Sequence, residues 1–230
     1  LMNDDLRSNG YIPTTSPYSD AITCDAAVFN VTGNDAIVDW VWVELRDATN
    51  NTTISASTSA LLQRDGDVVD VDGVSPLTLT VPGKDYFVVV NHRNHLGTMS
   101  LNTVALTATA SVVDFTNGLS TFGSNGQTDL GAGVMGLWAG NVDGNTSIQY
   151  SGANADSPTL LSYVLNDSGN FLNTATYSVS GYSNYDINMD GNTQYTGATP
   201  DTPKILQLVL SHPGNFLNTT TYEITEQLPQ

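Results

Sequence analysis

At 230 residues the chain has room for one large all-β domain or two small ones. A formal charge of −17 and an isoelectric point near 4.1 argue against nucleic acid as a partner and exclude a basic membrane-surface patch. No apolar run is long enough to cross a bilayer. The acidity is nearly all aspartate, with Glu only at Glu44, Glu223 and Glu226. Asp favours turns, caps and calcium loops where Glu favours helices, so a turn-rich, β-rich chain that meets divalent cations is expected. The single cysteine, Cys24, rules out an intrachain disulfide and reads as a half-buried strand residue.

In chain order, residues 1–20 carry Pro13 and Pro17 and few apolar side chains, which predicts an extended N-terminal arm with footholds at Tyr11, Ile12 and Tyr18. The start, Leu1–Arg7, lacks the basic and apolar regions of a signal peptide, and opening on Leu suggests a processed or excised chain. Residues 21–116 read as strand after strand. Ala36–Arg46 alternates so that Ile37, Val41 and Val43 share one face while Trp40 and Trp42 share the other. Thr52–Arg64 is a Ser/Thr-rich strand, Asp65-Gly66 and Asp72-Gly73 are turns, and Leu77–Val81 and Tyr86–Val90 are further strands. Gly97–Phe115 supplies one or two more. Short strands at this spacing predict an Ig-like β-sandwich. Residues 117–136, with Gly118, Gly123, Gly126, Gly131, Gly133 and Gly136, read as a glycine-rich linker or long loop.

Residues 137–230 are written twice at an offset of 45 residues. Asn141-Val142-Asp143-Gly144-Asn145 returns as Asp186-Ile187-Asn188-Met189-Asp190. Gly169-Asn170-Phe171-Leu172-Asn173-Thr174 returns unchanged as Gly214–Thr219. Such a period marks a duplicated supersecondary unit. Pro158 and Pro203, each after an Asp-Ser or Asp-Thr pair, signal helix starts, so short helical turns are expected over Thr159–Leu165 and Lys204–Leu210. Strands are expected from Phe171 to Val179 and from Phe216 to Ile224. The fold expected is therefore mostly β, a sandwich followed by a small α+β region of two tandem repeats, each an acidic loop, a short helix and a strand.

The second loop has the oxygen spacing of an EF-hand-type site: Asp186, Asn188 and Asp190 as side-chain ligands, the Asn192 carbonyl, and Gly191 at the turn. Its twelfth position is Gly197 rather than an acid, and Asp201 substitutes only if the loop detours. The first loop offers Asn141, Asp143 and Asn145, with Thr146 in the glycine slot and Asp156 matching Asp201. The competing account is that these are Asx-turns and that Asp156 and Asp201 cap helices. His92 and His95, the only paired imidazoles, fall on opposite faces of a strand unless a turn joins them, and a hydrogen-bonded strand end with a paired Arg93 is preferred to zinc. No Gly-x-Ser-x-Gly, His-Glu-x-x-His or phosphate-loop pattern occurs, and the acid pairs Asp65/Asp67 and Asp70/Asp72 sit in local turns, so no enzymatic activity is expected. Tyr150, Tyr163, Tyr177, Tyr182, Tyr185, Tyr195 and Tyr222 are candidates for stacking on sugars or for filling the core.

Leu137–Gly144, the Tyr-Ser/Thr-Gly after it and the second acidic loop resemble modules of large secreted surface proteins of Bacteroidota, of the haemagglutinin-like or dockerin-like kind. Val38–Arg46, Leu62–Asp67, Asp70–Gly73 and His92–Gly97 are similar to the same family. The resemblance implies an extracellular or cell-surface location and no enzymatic activity. The expectation is a structural subunit that self-associates into a fibre, sheath or layer through a β-edge or the N-terminal arm, stiffened by calcium. The alternative is an adhesin that binds glycans through calcium and exposed tyrosines.

Overall fold

The structure, a computed structural model, describes residues 1–116 and 121–230. The opening of the expected glycine-rich loop, Gly118 included, lies outside them. Strand takes 26% of the chain and helix 13%, which makes the fold mainly β.

The N-terminal sheet is built on β1 (Ile37–Asp47), whose β-branched and aromatic run favours a pleated, buried ladder. Strand β2 (Ile54–Gln63) pairs antiparallel on one side of β1, and β3 (Val68–Val69) returns from the Asp65-Gly66 turn to pair with β2. On the other side of β1 lies β4 (Lys84–Asn91), whose outer edge takes β5 (Thr98–Met99) and β6 (Val104–Leu106). A register shift between Ile37 and Asp39 corrects the expected alternation. The bulge turns Ile37 to the face of Trp40 and Leu61, while Val41, Val43 and Leu45 take the opposite face.

That opposite face is covered by Leu77, Leu79, Val81, Val113 and Phe115. Leu77–Val81, expected as a strand, joins no ladder among the described residues; only Pro76 before it bridges to Val69. The hydrogen-bonded strands of residues 21–116 thus form one sheet under an irregular covering layer, rather than two facing sheets.

The arm also departs from expectation. It folds back on its own sheet, with α1 (Asp5–Ser8) burying Leu6 beside Ile12, Val28, Trp40 and Leu61. Its backbone is satisfied locally: the Trp40 indole donates to the Pro13 carbonyl at 2.9 Å and Thr15 bridges to Thr23. The Asp20 carboxylate takes the Ser59 N–H at 2.8 Å, which plugs that stretch of the β2 edge. Trp40 supplies apolar area that the arm's few footholds cannot find alone, and this decides against an extended conformation.

After the undescribed residues, Thr121 bridges to Ser100, and β7 (Thr128–Asp129) and β8 (Met135–Gly136) form a hairpin where a plain loop was expected. The C-terminal region then runs β9 (Ser147–Gln149), α2 (Asp156–Asn166), β10 (Ser178–Ser180), β11 (Asn192–Gln194), α3 (Thr202–Ser211) and β12 (Glu223–Thr225). Both long helices exceed the expected turns, and the expected strands shrink to three residues each. Pairing is crossed: β9 pairs with β12, and β10 with β11. Leu160 and Val164 of α2 pack with Ile205 and Val209 of α3 in a core that also takes Leu96 from the N-terminal part.

Asp39, fully buried, fastens the two regions. It accepts hydrogen bonds from the Trp40 N–H (2.7 Å), His92 Nε2 (3.0 Å), Arg93 Nε (3.1 Å) and the Tyr182 hydroxyl (2.5 Å). Burial disfavours its charge, but Arg93, His92 and Tyr182 outweigh that and hold the carboxyl below the usual range. Arg93 lies over the Tyr182 ring at 4.4 Å and donates to the Ser183 carbonyl. Asp39→Ala is expected to destabilise the protein by about 3–5 kcal/mol in urea unfolding, because it strands a buried guanidinium. A loss below about 1 kcal/mol, the size of a solvent-exposed pair, would show that the cluster is not a fastener.

Candidate functional site

The second acidic loop closes around its own amides. Asp186, buried, accepts the N–H of Asp190 (3.1 Å) and of Gly191 (2.9 Å). Asn188 Oδ1 accepts the Asp190 N–H at 2.9 Å, and Asp190 Oδ1 accepts the Asn192 N–H at 2.8 Å. The detour that Asp201 needs in order to join the loop is present. Gly197 is no ligand but a hinge: its φ is +146°, and a Cβ there would sit 2.5 Å from the Gln194 side chain. The excursion through it returns Asp201 to the loop, where Oδ1 accepts from Ile187 N–H (2.7 Å) and Asn188 N–H (3.1 Å), and Oδ2 from Gln194 N–H (2.9 Å). Neither Asp156 nor Asp201 makes a helix-capping side-chain bond, so the capping account of these two acids fails.

The first loop repeats the arrangement. Asp156 accepts from Val142 N–H (3.0 Å) and Gln149 N–H (2.9 Å), Asp143 from Asn145 N–H (3.1 Å), and Asn145 from Ser147 N–H (2.6 Å). Asn141 differs from its counterpart Asp186. Its amide NH₂ donates to the Asn145 carbonyl, while Oδ1 is buried with no donor in reach. Flipping the amide would set oxygen against oxygen, so the orientation is fixed by that bond. Three other buried polar atoms lack partners among the described residues, on Arg7, Thr98 and Thr193, and Asn141 Oδ1 alone is a pure acceptor. Such an orphan costs about 1–3 kcal/mol.

Asn94 ties the first positions of the two loops together. Its backbone carbonyl accepts the Gly140 N–H (2.9 Å) and the Asn141 N–H (3.1 Å), and its side-chain NH₂ donates to the Asp186 carbonyl (2.7 Å). Its Oδ1 lies 3.1 Å from His92 Nδ1 and 2.8 Å from His95 Nδ1. A turn therefore unites the two imidazoles, which approach Nδ1 to Nδ1 at 2.8 Å. Burial, then His92 and Arg93, push His95 well below the ordinary imidazole pKa. Sequence reasoning singled out His92–Gly97 for its imidazoles and missed the asparagine between them.

The three innermost carboxyls are hard to ionise. Burial raises Asp156 and Asp186 to about 7 and Asp201 to about 6; backbone N–H bonds pull the other way, and Asp143, Asp201 and Asp190 add to the rise at Asp156, Asp186 and Asp201 respectively. Among the described residues no three His, Cys, Asp or Glu side chains converge on one metal position, so amide and backbone oxygens would have to complete any such shell. Of the seven tyrosines, Tyr150, Tyr163, Tyr177, Tyr185, Tyr195 and Tyr222 pack half-buried around the C-terminal core, while Tyr182 binds Asp39. Tyr163 and Tyr185 stack with ring centroids 4.1 Å apart.

Composition and periodicity did not flag the tips that follow α2 and α3. Phe171 and Leu172 are 88% and 85% exposed, and Phe216 and Leu217 have the same two values. Each tip is held rigidly. Asn170 donates to the Val164 carbonyl (2.8 Å) and the Thr174 carbonyl (3.0 Å), and Asn215 does the same to Val209 (2.8 Å) and Thr219 (2.9 Å). These bonds satisfy a helix C-terminal carbonyl that would otherwise be orphaned. No protein family, curated protein or solved structure matches this chain.

The raised carboxyls set a pH dependence. Their native pKa values of about 6 to 7 exceed the unfolded value near 3.8, so the native state binds more protons between these limits. In chelator, the unfolding free energy should fall by a few kcal/mol as pH rises from about 4 to about 7. Asp39 acts oppositely at more acid pH, and His95 and His212, whose pKa values burial lowers, offset part of the fall inside the window. A pH slope left unchanged by Asp156→Asn and Asp201→Asn would mean these carboxyls are freely solvated.

Proposed function

We propose that this chain is a non-enzymatic extracellular structural module that associates with further copies of itself, and that its C-terminal part is a duplicated unit stiffened by calcium. The observation that carries association is the pair of rigid Phe-Leu tips. Surface apolar side chains scattered singly need no partner, but the same dipeptide presented twice, at the same exposure and on the same bonds, is a bivalent contact. The arm is engaged in its own sheet and Asp20 plugs part of the β2 edge, which leaves the tips as the stronger contact. The duplicated unit is supported by bonds that recur at the 45-residue offset, such as Gln149 to the Thr221 carbonyl (2.7 Å) and Gln194 to the Thr176 carbonyl (2.8 Å). These run between the copies, so neither copy completes its polar contacts alone.

For calcium the residues fit. Asp186, Asn188, Asp190, Asp201 and the Asn192 carbonyl would hold the ion in the second loop, and Asn141, Asp143, Asn145 and Asp156 in the first. The orphaned Asn141 Oδ1 is an oxygen that a cation would satisfy, and a bound cation favours the ionised form of carboxyls whose ionisation burial opposes. A second reading, a glycan-binding adhesin, is favoured by the stacked tyrosines beside α2.

Electron microscopy of the purified chain should show regular polymers. The double variant Phe171→Ser/Phe216→Ser should keep its melting temperature within about 2 °C, since neither side chain is buried, and remain monomeric. Polymers formed by the double variant would move the interface elsewhere, and a wild-type chain that stays monomeric at every concentration would end the structural reading.

At pH 7.5 added calcium should raise the melting temperature and erase the decline seen in chelator, because an ion bound only by the native state stabilises it by mass action. Asp190→Ala should remove most of that response and Asp143→Ala much less, since the second loop carries more carboxylates. Identical melting curves with calcium and with chelator would leave both loops as ordinary turns.

A further inference from the structure

Beside α2 lies an open hollow of about 380 Å³, lined by Tyr163 and Tyr185 together with Ser162, Asn166 and Asp167. It belongs to neither acidic loop's candidate ligand set. Its aromatic pair is not demanded by the repeated architecture. At the 45-residue offset, Tyr163 corresponds to Leu208 and Tyr185 to Gly140, so the same place in the other copy has no ring pair. Leu208 is buried and serves the core. The two rings lie nearly parallel, 14° apart with centroids 4.1 Å apart, so they stack on one another and the pair has only its outer faces and edges to offer a ligand. Neither phenol hydroxyl makes a hydrogen bond among the described residues.

The polar rim is similarly uncommitted. Asn166 spends its NH₂ on the Ser162 carbonyl (2.8 Å) and hydroxyl (3.1 Å), leaving its Oδ1 as a free acceptor. Asp167 gives one oxygen to the Gly169 N–H at 2.9 Å and keeps the other without a donor. A wall of aromatic carbon facing hydroxyl and carboxylate groups suits a ligand with a C–H face and a ring of hydroxyls. No Lys or Arg lines the hollow, and the chain's charge of −17 repels anions. The volume falls within the range of small-ligand sites, which run from about 300 to 1,000 Å³.

We propose that this hollow is a subsite for a neutral pyranose residue of a glycan, with an outer face of the stacked Tyr163–Tyr185 pair as the platform and Asn166 and Asp167 as acceptors for sugar hydroxyls. The proposal rests on the adhesive reading and is independent of polymerisation. Because no acidic-loop residue lines the hollow, binding here does not require calcium.

The test is a titration of the ¹⁵N-labelled chain with cellotriose, mannotriose, chitotriose and N-acetyllactosamine, with 3′-sialyllactose as the anionic comparison, in calcium and in chelator. At least one neutral probe should shift the amide signals of Tyr163, Asn166 and Asp167 at millimolar concentration under both conditions, and sialyllactose should not. Tyr163→Leu, which installs the residue of the equivalent position, should weaken that probe at least tenfold. Asp167→Asn, a second variant remote from the core, should weaken it severalfold. Binding that survives both variants, or that vanishes in chelator, places any glycan site elsewhere and overturns the proposal while the adhesive reading stands. Absence of shifts at these residues with all four neutral probes overturns it as well.

Discussion

Asn94 is the residue on which the arrangement of this molecule turns. It is wholly buried, it is small, and all of its hydrogen-bonding groups except its own N–H are engaged with different elements. Its carbonyl holds the start of the first acidic loop, its NH₂ holds the start of the second, and its Oδ1 faces the two imidazoles that flank it. An aspartate here would lose the donor to Asp186 and place another charge beside carboxyls that already resist ionisation. A leucine would orphan the Asp186 carbonyl and leave the two imidazole Nδ1 atoms only each other. The first loop is held by a backbone carbonyl that any residue carries; what the amide adds is an NH₂ that reaches the second loop and an Oδ1 that faces the imidazoles.

Around that point the C-terminal region is organised by exchange. Because β9 pairs with β12 and β10 with β11, each half of the duplication relies on the other for its strand partner and for the glutamine bond to a distant carbonyl. A half-unit would expose its helix and leave those groups unsatisfied. The strand-to-helix turns at Gly152 and Gly197 have positive φ, which lets Gln149 and Gln194 fold over the turn. It is this fold, rather than loop sequence alone, that returns Asp156 and Asp201 to the amides of Val142 and Ile187. The loops are thus products of tertiary structure, which local EF-hand spacing does not describe.

Both helix starts and the strands β1, β2 and β4 were legible because each rests on a local signal: a proline after a polar residue, or β-branched alternation. What was illegible depended on contacts far apart in sequence. The arm has few apolar residues and reads as extended, yet Leu6 and Ile12 find Trp40 and Leu61. Leu77–Val81 alternates like a strand and lies flat on the sheet, but no neighbour presents a ladder to it. Ile37 lies across a bulge from the face its spacing assigns. At the candidate site the acidic residues were legible and Asn94 was not, because nothing in an asparagine's immediate neighbours announces that two loops will meet on it. The Phe-Leu tips were visible as repeated text, but apolar letters are ordinarily assigned to a core, and only burial distinguishes the two.

Charge placement completes the argument about how copies of this chain can meet. Five of the six cations form ion pairs within the chain: Arg93 with Asp39 and Arg46 with Glu44 in the interior, and Arg7 and Arg64 with Asp4 and Lys84 with Asp47 nearer the surface. A surface left with so little positive charge and a net −17 cannot offer a neighbour electrostatic complementarity. Two such molecules repel at long range, and salt shortens that repulsion to about 8 Å at physiological ionic strength. Any attraction must then act at contact and come from uncharged surface. Phe171, Leu172, Phe216 and Leu217 carry no charge and stand clear of the body of the protein on turns braced by Asn170 and Asn215. The internal pairing of the cations and the exposure of the tips therefore bear on one another: where cations are few and already paired, the proposed contact between copies would fall to apolar side chains outside.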